Sequence, residues 1–349
     1  MPHQLLSLFS GAGGLDLGFH RAGFETVLAI DNCSNAVATF NWNINGGVAQ
    51  KQDISALAPS EFLQLIPASA RPIGLIGGPP CQGFSRGNVS RKKSDPRNWL
   101  PYRYAELLRA ANDKYKLHFF VFENVVGLAK KKHSRRFTRI KNKLDQAGFH
   151  VFSAELDAGG FEVPQRRLRL FLVGLNKTLY PSLEFKFPEG NSTRRHVVDV
   201  LSQLPPPVFF RRGLQPDDFT HHPNHWTMMP KSPKFSSQKN ARGRSFKRLD
   251  WNAVSPTVAY GHREIHVHPN GDRRLSIYEA MLLQGFPEDY QLTGTLSSQV
   301  TQVSNAVPPP IAEAIARELL SQLNFSSGQA SSERRLNERS KPRRLTSAA

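Results

Sequence analysis

The sequence predicts an α/β fold: a mainly parallel sheet with helices on both faces, followed by a second, smaller and loop-rich domain. Three observations carry that expectation. Apolar strand-like runs alternate with helix-like segments through the first half of the chain. The turn Ser10-Gly11-Ala12-Gly13-Gly14 follows the first apolar run and opens a helix-like segment, while Asp31 ends the next run. Beyond residue 174 the periodicity weakens, and residues 180–262 are rich in proline, histidine and basic side chains.

The elements follow in order. Residues 4–9 read as a strand, and a helix-like segment runs from the glycine turn to Gly23. Residues 24–31 form the next strand and 34–43 the next helix. Further strands are expected at 73–76, 118–123, 150–156 and 168–174, with a basic helical segment at 134–147. Helical pattern returns at 276–283 and 310–323. Residues 326–349 are rich in serine and arginine with almost no apolar side chains, which predicts a disordered basic tail.

Composition narrows the function. A chain of 349 residues can bury two cores, and 39% hydrophobic residues with four tryptophans indicate packed globular structure. The formal charge of +18 suits a polyanionic partner, most simply nucleic acid, although charge alone leaves open a basic protein without one. Cys33 and Cys81 are the only cysteines, too few for a disulfide framework or a zinc site. The apolar run at residues 5–9 is far shorter than a signal or spanning helix, and no later stretch approaches membrane length. A reducing, intracellular compartment and no membrane are therefore expected.

Four motifs carry chemistry. The glycine turn lets backbone approach a ligand at a helix N-terminus, and Asp31 can accept hydrogen bonds from ribose hydroxyls. Together they suit an adenosine ligand, without separating NAD from S-adenosylmethionine. Cys81 stands in Gly77-Gly78-Pro79-Pro80-Cys81-Gln82, directly after an apolar strand, where ligands bind in open sheets. A thiolate there is a candidate nucleophile; a buried thiol acting as a small hydrophobe is the alternative. Arg86, Arg91, Lys92 and Lys93 in the following loop supply an electropositive setting. Glu123 closes the very apolar run 119–122, where desolvation favours its protonated, proton-donating form. In Gln165-Arg166-Arg167-Leu168-Arg169, alternation puts Gln165, Arg167 and Arg169 on one side, giving two guanidiniums able to clamp an anion or a carboxylate. The run His221-His222-Pro223-Asn224-His225 lacks cysteine or a carboxylate cluster, so no metal site is expected there.

In this order and spacing the motifs resemble those of the cytosine-5 DNA methyltransferase family. Phe9-Ser10-Gly11-Ala12-Gly13-Gly14 looks like its first motif. Asp31, where the family more often has glutamate, is similar to the second, and Asp53-Ile54 to the third. Gly78-Pro79-Pro80-Cys81-Gln82, Glu123-Asn124-Val125 and Gln165-Arg166-Arg167-Leu168-Arg169 fit the catalytic motif and the two signatures that follow. Residues 274–287 look like the ninth motif, and Gln302-Val303-Ser304-Asn305-Ala306-Val307-Pro308-Pro309 like the tenth.

The resemblance implies a Rossmann-like, S-adenosylmethionine-dependent methyltransferase domain over residues 1–180, completed by about 300–323. A smaller target recognition domain would span 181–299, and the basic tail 324–349. Cys81 is implied as the nucleophile, Glu123 as proton donor, and Arg167 and Arg169 as the residues that hold substrate and Glu123. Implied cofactor contacts are Phe9, Gly11, Gly13, Asp31, Asp53, Ile54, Leu100 and Asn305, with S-adenosyl-L-methionine as methyl donor and no metal. The partner would be double-stranded DNA, bound by a cytoplasmic, nucleoid-associated bacterial monomer, with a possible cognate restriction endonuclease. Arg194, Arg195, Arg211, Arg212, Arg242, Arg244, Lys247, Arg248 and Trp226 suit phosphate and groove contacts in the second domain. Two other readings remain: a tRNA cytosine-5 methyltransferase on the same scaffold, and a catalytically silent DNA-binding module.

Overall fold

The computed structural model describes residues 2–44, 47–80, 96–214, 218–230, 235, 247–257 and 266–323. Cys81, the loop cations from Arg86 to Lys93, Arg242, Arg244 and the tail 324–349 lie outside the described residues. The strands are β1 (His3–Leu8), β2 (Phe24–Asp31), β3 (Ala49–Lys51), β4 (Pro72–Gly77), β5 (Phe119–Val125), β6 (Phe149–Asp157) and β8 (Leu168–Asn176). They form one seven-stranded sheet in the order β3-β2-β1-β4-β5-β8-β6. Pairing is parallel from β3 through β5, and β8 runs antiparallel between β5 and β6.

The helices α1 (Gly14–Arg21), α2 (Ser34–Asn43), α3 (Pro59–Leu65), α4 (Leu100–Tyr115) and α5 (Ser134–Gln146) supply the crossovers, and α9 (Pro309–Gln322) returns to the sheet late in the chain. Both sheet faces are buried, which is why the strands read as continuous apolar runs. Leu6, Leu8, Leu75, Phe120, Phe122, Leu170 and Leu172 face α3, α4 and α5, against Phe62, Tyr104, Leu108, Ile140 and Leu144. The alternate residues Leu5, Ile76, Phe119, Val121, Phe171 and Val173 face α1 and α9, against Leu15, Phe19, Ile311, Ile315 and Leu319. Gly18 makes the second layer possible: a Cβ there would stand 2.4 Å from the Pro309 carbonyl oxygen, so α1 and α9 touch backbone to backbone.

Between β6 and β8, and again between the sheet and α9, the chain builds short pieces. α6 (Val198–Leu201) has four residues, and β7 (Gln165–Arg166), β9 (Val208–Phe209), β10 (Trp226–Thr227), β11 (Lys247–Arg248), β12 (Ser255–Pro256) and β13 (His266–Val267) have two each. They pair as β9 with β10, β11 with β13 and β7 with β12. Then come α7 (Ile277–Leu283) and α8 (Leu296–Asn305). Ile277, Met281, Phe286 and Leu292 pack with Val300, Val303 and Ala306 around Ala12 of the glycine turn. Residues late in the chain therefore press directly on the first βα turn.

Candidate active site

The strand order reverses between β1 and β4, and in an open α/β sheet ligands bind at the carboxyl ends of the strands at such a point. A cavity of about 400 Å³ opens there. Its floor is the turn after β1, with Phe9, Ser10 and Gly11. Asp31 to Cys33 and Gln52 to Ile54 form one wall, Gly77, Gly78, Pro80 and Glu123 another, and Ser298, Thr301, Gln302 and Asn305 of α8 the third. Arg97 and Leu100 close the rim.

Each wall has a local cause. Phe9 adopts φ 55°, a left-handed conformation that costs about 1 kcal/mol or more for a residue with a side chain. It turns the chain out of β1 and into the glycine turn. Asp31 accepts from the main-chain N–H of Gly11 and of Cys33, both at 2.9 Å, which joins the ends of β1 and β2. Burial raises the Asp31 carboxyl above its ordinary range, partly offset by those donors. Asp53 accepts from the Ser55 amide and hydroxyl at 2.9 and 2.7 Å. Arg103 of α4 donates to the carbonyls of Ile54 and Leu57, at 3.4 and 2.5 Å, and so fixes the turn carrying Ile54.

Glu123 is the charged centre. Its Oε1 lies 3.0 Å from Nε of Arg169, on the neighbouring strand β8. A Cβ on Gly78 would stand 3.0 Å from Glu123 Oε2, so the bare glycine leaves room for the carboxyl over the turn that leads to Cys81. Asn124 Nδ2 donates to the Pro79 carbonyl at 3.0 Å and pins that turn to β5. Burial raises the Glu123 carboxyl, against the downward pull of Arg169 and then Arg167, and burial also lowers Arg169. Desolvation thus outweighs the pairing in setting the direction of the Glu123 shift.

Arg167 also reaches the end of α8. It is 1% exposed, and its Nη2 donates to the carbonyls of Ser304 and Ala306 at 2.8 and 2.9 Å. Gln284 Nε2 donates to the carbonyls of Val303 and Ala306 beside it. Both donors meet the C-terminal carbonyls of α8, where positive charge is favourable. Arg167 therefore braces the helix whose other side lines the cavity. Gly13 also stands outside the lining: with φ 81° it packs toward Tyr290, whose hydroxyl donates to the Ala12 carbonyl.

Of the expected cofactor contacts, Phe9, Gly11, Asp31, Asp53, Ile54, Leu100 and Asn305 line the one cavity together with Glu123. Sequence patterns did not point to Cys33, Arg97, Ser298, Thr301 and Gln302, which line it as well. The α8 residues carry a signal only once the helix is drawn, since 298, 301, 302 and 305 fall at helical spacing on one side. Among the described residues no three His, Cys, Asp or Glu side chains gather as a metal site. No described helix is long and apolar enough to cross a membrane. Trp226, expected at a nucleic-acid surface, is buried, with its indole N–H donating to Gln299 Oε1 at 3.1 Å.

A mostly parallel sheet with its cavity at the switch point, walled by acids and a glycine turn, has the layout of an open α/β fold with its ligand position at the carboxyl edge. The family model for C-5 cytosine-specific DNA methylases matches residues 3–321. The chain is 33% identical over 341 residues to the Type II methyltransferase M.MthTI of Methanothermobacter thermautotrophicus, covering 91% of this chain and 97% of that one. It is 32% identical over 341 residues to M.FnuDI of Fusobacterium nucleatum, covering 90% and 94%. Among solved structures, a prophage-encoded E. coli protein assigned as a DNA modification methyltransferase superposes with a TM-score of 0.73 at 24% identity, covering 92% of this chain and 99% of that one. The S. pombe Dnmt2 methyltransferase gives 0.63 at 19%, covering 93% and 100%. The chain belongs to the C-5 cytosine-specific DNA methylase family and is a DNA cytosine-5 methyltransferase.

Proposed function

We propose that this chain is the modification enzyme of a Type II restriction-modification system, methylating carbon 5 of one cytosine within a short duplex sequence through a covalent Cys81 adduct. The observation that carries the reading is the Glu123–Arg169 pair, set over Gly78 and Pro79 at the sheet edge, two residues before Cys81 in the sequence.

The cavity fits S-adenosylmethionine by size and donor set. Its volume of about 400 Å³ lies within the ordinary range for such ligands. The Asp31 carboxylate keeps accepting capacity for ribose hydroxyls beyond its two main-chain donors. Phe9, Ile54 and Leu100 give apolar walls for a planar base, Asp53 accepts from an exocyclic amine, and Gly11 and Asn305 complete the contacts, with Gly13 shaping the turn. When bound, the cofactor supplies an electrophilic methyl group on a sulfonium.

Carbon 5 of cytosine is too weak a nucleophile to take that methyl group unaided. The Cys81 thiolate adds to carbon 6 and pushes electron density to carbon 5. Glu123, its carboxyl raised by burial and kept aimed by Arg169, donates toward ring nitrogen 3 as negative charge develops there. After transfer, solvent takes the carbon-5 proton, the thiolate leaves carbon 6, and the proton on ring nitrogen 3 returns to Glu123, which restores the ring. Arg167 acts at one remove, by bracing α8 against the cavity. The base leaves the duplex to reach the site, at a cost of a few kcal/mol. Residues 1–180 with about 300–323 hold the chemistry, and 181–299 read the target. The enzyme works as a cytoplasmic monomer, beside an endonuclease that cuts the same site when unmodified.

Transfer of labelled methyl groups to duplex DNA, with modified cytosines mapped by sequencing, tests this. Label at one recurring short sequence, absent with Cys81→Ala, is the expected result. Label on tRNA alone would replace DNA as substrate, and no label on either would leave a silent binding module.

A further inference from the structure

One segment outside the cavity carries charge that the fold leaves uncompensated. Residues 126–146 contain Lys130, Lys131, Lys132, Arg135, Arg136, Arg139, Lys141 and Lys143, against the single acid Asp145. Asp145 is taken by Lys177 at 2.8 Å, from outside the segment. Lys131, Arg135, Arg139 and Lys143 are exposed, and among the described residues none of them forms an ion pair with a carboxylate. On α5 only Ile140 and Leu144 are buried.

The exposed cations form a row. Arg135, Arg139 and Lys143 recur every fourth residue, one above the other on a helix, and Lys131 stands four residues earlier, in the short turn that leads in. Successive members are about 6 Å apart along the axis, so Arg135 to Lys143 spans about 12 Å. Like charges at this spacing destabilise a helix. The fold therefore bears a cost that an anionic partner would remove. About 12 Å also matches three to four successive phosphates on one strand of a duplex.

The row begins at the site. β5 carries Glu123 and ends at Val125, and two short turns lead from it to α5. Arg136 Nη1 donates to Asn98 Oδ1 at 3.1 Å, tying the first turn of α5 to the segment Pro96–Trp99, whose Arg97 rims the cavity. A duplex presenting a base to that cavity passes the head of this row.

We infer that Lys131, Arg135, Arg139 and Lys143 form a ridge that binds the phosphate backbone of the substrate duplex, outside the segment that reads its sequence. The inference rests on the proposed DNA substrate. It assigns the catalytic domain its own sequence-independent grip, which holds the duplex while the base is out.

The test is the salt dependence of binding to a duplex carrying the mapped target, with the full chain. Each lost phosphate contact lowers the slope of log affinity against log salt by about 0.9. R135Q/R139Q/K143Q is expected to lower it by about 2.7. Between about 50 and 200 mM salt the wild type would then lose about 40-fold more affinity than the variant. Glutamine is a good helix former, and R139Q alone, with an expected drop of about 0.9, serves if the triple variant does not fold. The matched control R21Q/K186Q/R317Q removes three exposed cations on the sheet face opposite α5, at the end of α1, beside α9 and on α9. Its slope is expected to equal that of the wild type. An unchanged slope in the ridge variant, or an equal drop in the control, overturns the ridge and leaves the methyltransferase reading intact. A wild type that neither binds nor methylates duplex DNA overturns both.

Discussion

The central sheet and the segment from residue 197 to 292 bury chain by opposite means. In the sheet, both faces are filled by aliphatic and aromatic side chains, and strands of six to nine residues lock a long register around β1, β4 and β5. In the later segment the apolar side chains divide between two smaller clusters, one of Val197, Leu201, Leu249, Leu275 and Leu283 and one around Trp226, Ile277, Met281, Phe286 and Leu292, and each strand has two residues. Buried among them is a set of polar side chains: His222, Asn224, His225, His266, His268, Arg273, Ser276 and Glu279. Asn224 donates to the Leu292 carbonyl and accepts from its amide, both at 2.8 Å, and Arg273 grips Glu279 through two contacts of 2.8 and 2.7 Å. Apolar packing tolerates any side chain of about the right shape. A buried polar network tolerates only the partner it was built around.

The largest expected effect follows from that contrast. Arg273→Ala leaves Glu279, fully buried, without its main counter-charge, and should cost about 3–5 kcal/mol. Leu172→Met, in the heart of the sheet, keeps an apolar group of similar size and should cost under about 1.5 kcal/mol. Urea unfolding of the two variants, at equal slopes, measures both. Equal losses would break the comparison.

Asp16 is the exception inside the sheet layer, and its effect is the next in size. In the first turn of α1 it accepts from the hydroxyls of Ser7 and Thr26, both at 2.9 Å, and is fully buried. Burial, set against those two donors, pushes its carboxyl from 3.8 up to about 6. Because the folded value is raised, the stability it contributes is present below about 4 and is lost as pH rises through about 6. The difference amounts to about 3 kcal/mol. Asp16→Asn should lack this loss, so the stability gap between wild type and variant should change by that amount from pH 4 to 7. A gap constant with pH would show that Asp16 does not titrate there.

The same contrast explains which parts of the molecule are legible in its amino-acid sequence. Residues 24–31 and 34–43 are legible to the residue, because apolar runs bounded by turn residues leave one solution. The helix Leu100–Tyr115 has a signal too, at Leu100, Tyr104, Leu107, Leu108 and Ala111. Pro101 stands in its first turn, where a proline removes no helical hydrogen bond. At the site, the glycine turn, Asp31 and Glu123 announce themselves through strand ends. The cavity face of α8 does not, since Ser298, Thr301, Gln302 and Asn305 are polar and leave no apolar period. The aim of Arg167 at the carbonyls of Ser304 and Ala306, 137 and 139 residues away, has no local signature at all.

The smallest effect tests whether the polar segment truly rests on its hydrogen bonds. Trp226 is buried beside Phe210, with ring centroids 6.3 Å apart, and its indole N–H donates to Gln299 Oε1. That same oxygen accepts from Asn224 Nδ2 at 3.0 Å, so removing the indole donor does not strand it. Trp226→Phe keeps an aromatic ring in place and loses one neutral hydrogen bond. It should cost about 1 kcal/mol by thermal or urea unfolding. A loss of about 3 kcal/mol or more would be the cost of truncating a core aromatic. It would mean that ring packing governs this segment as it governs the sheet, and that Asn224 and Gln299 merely fill out a core whose shape the indole sets.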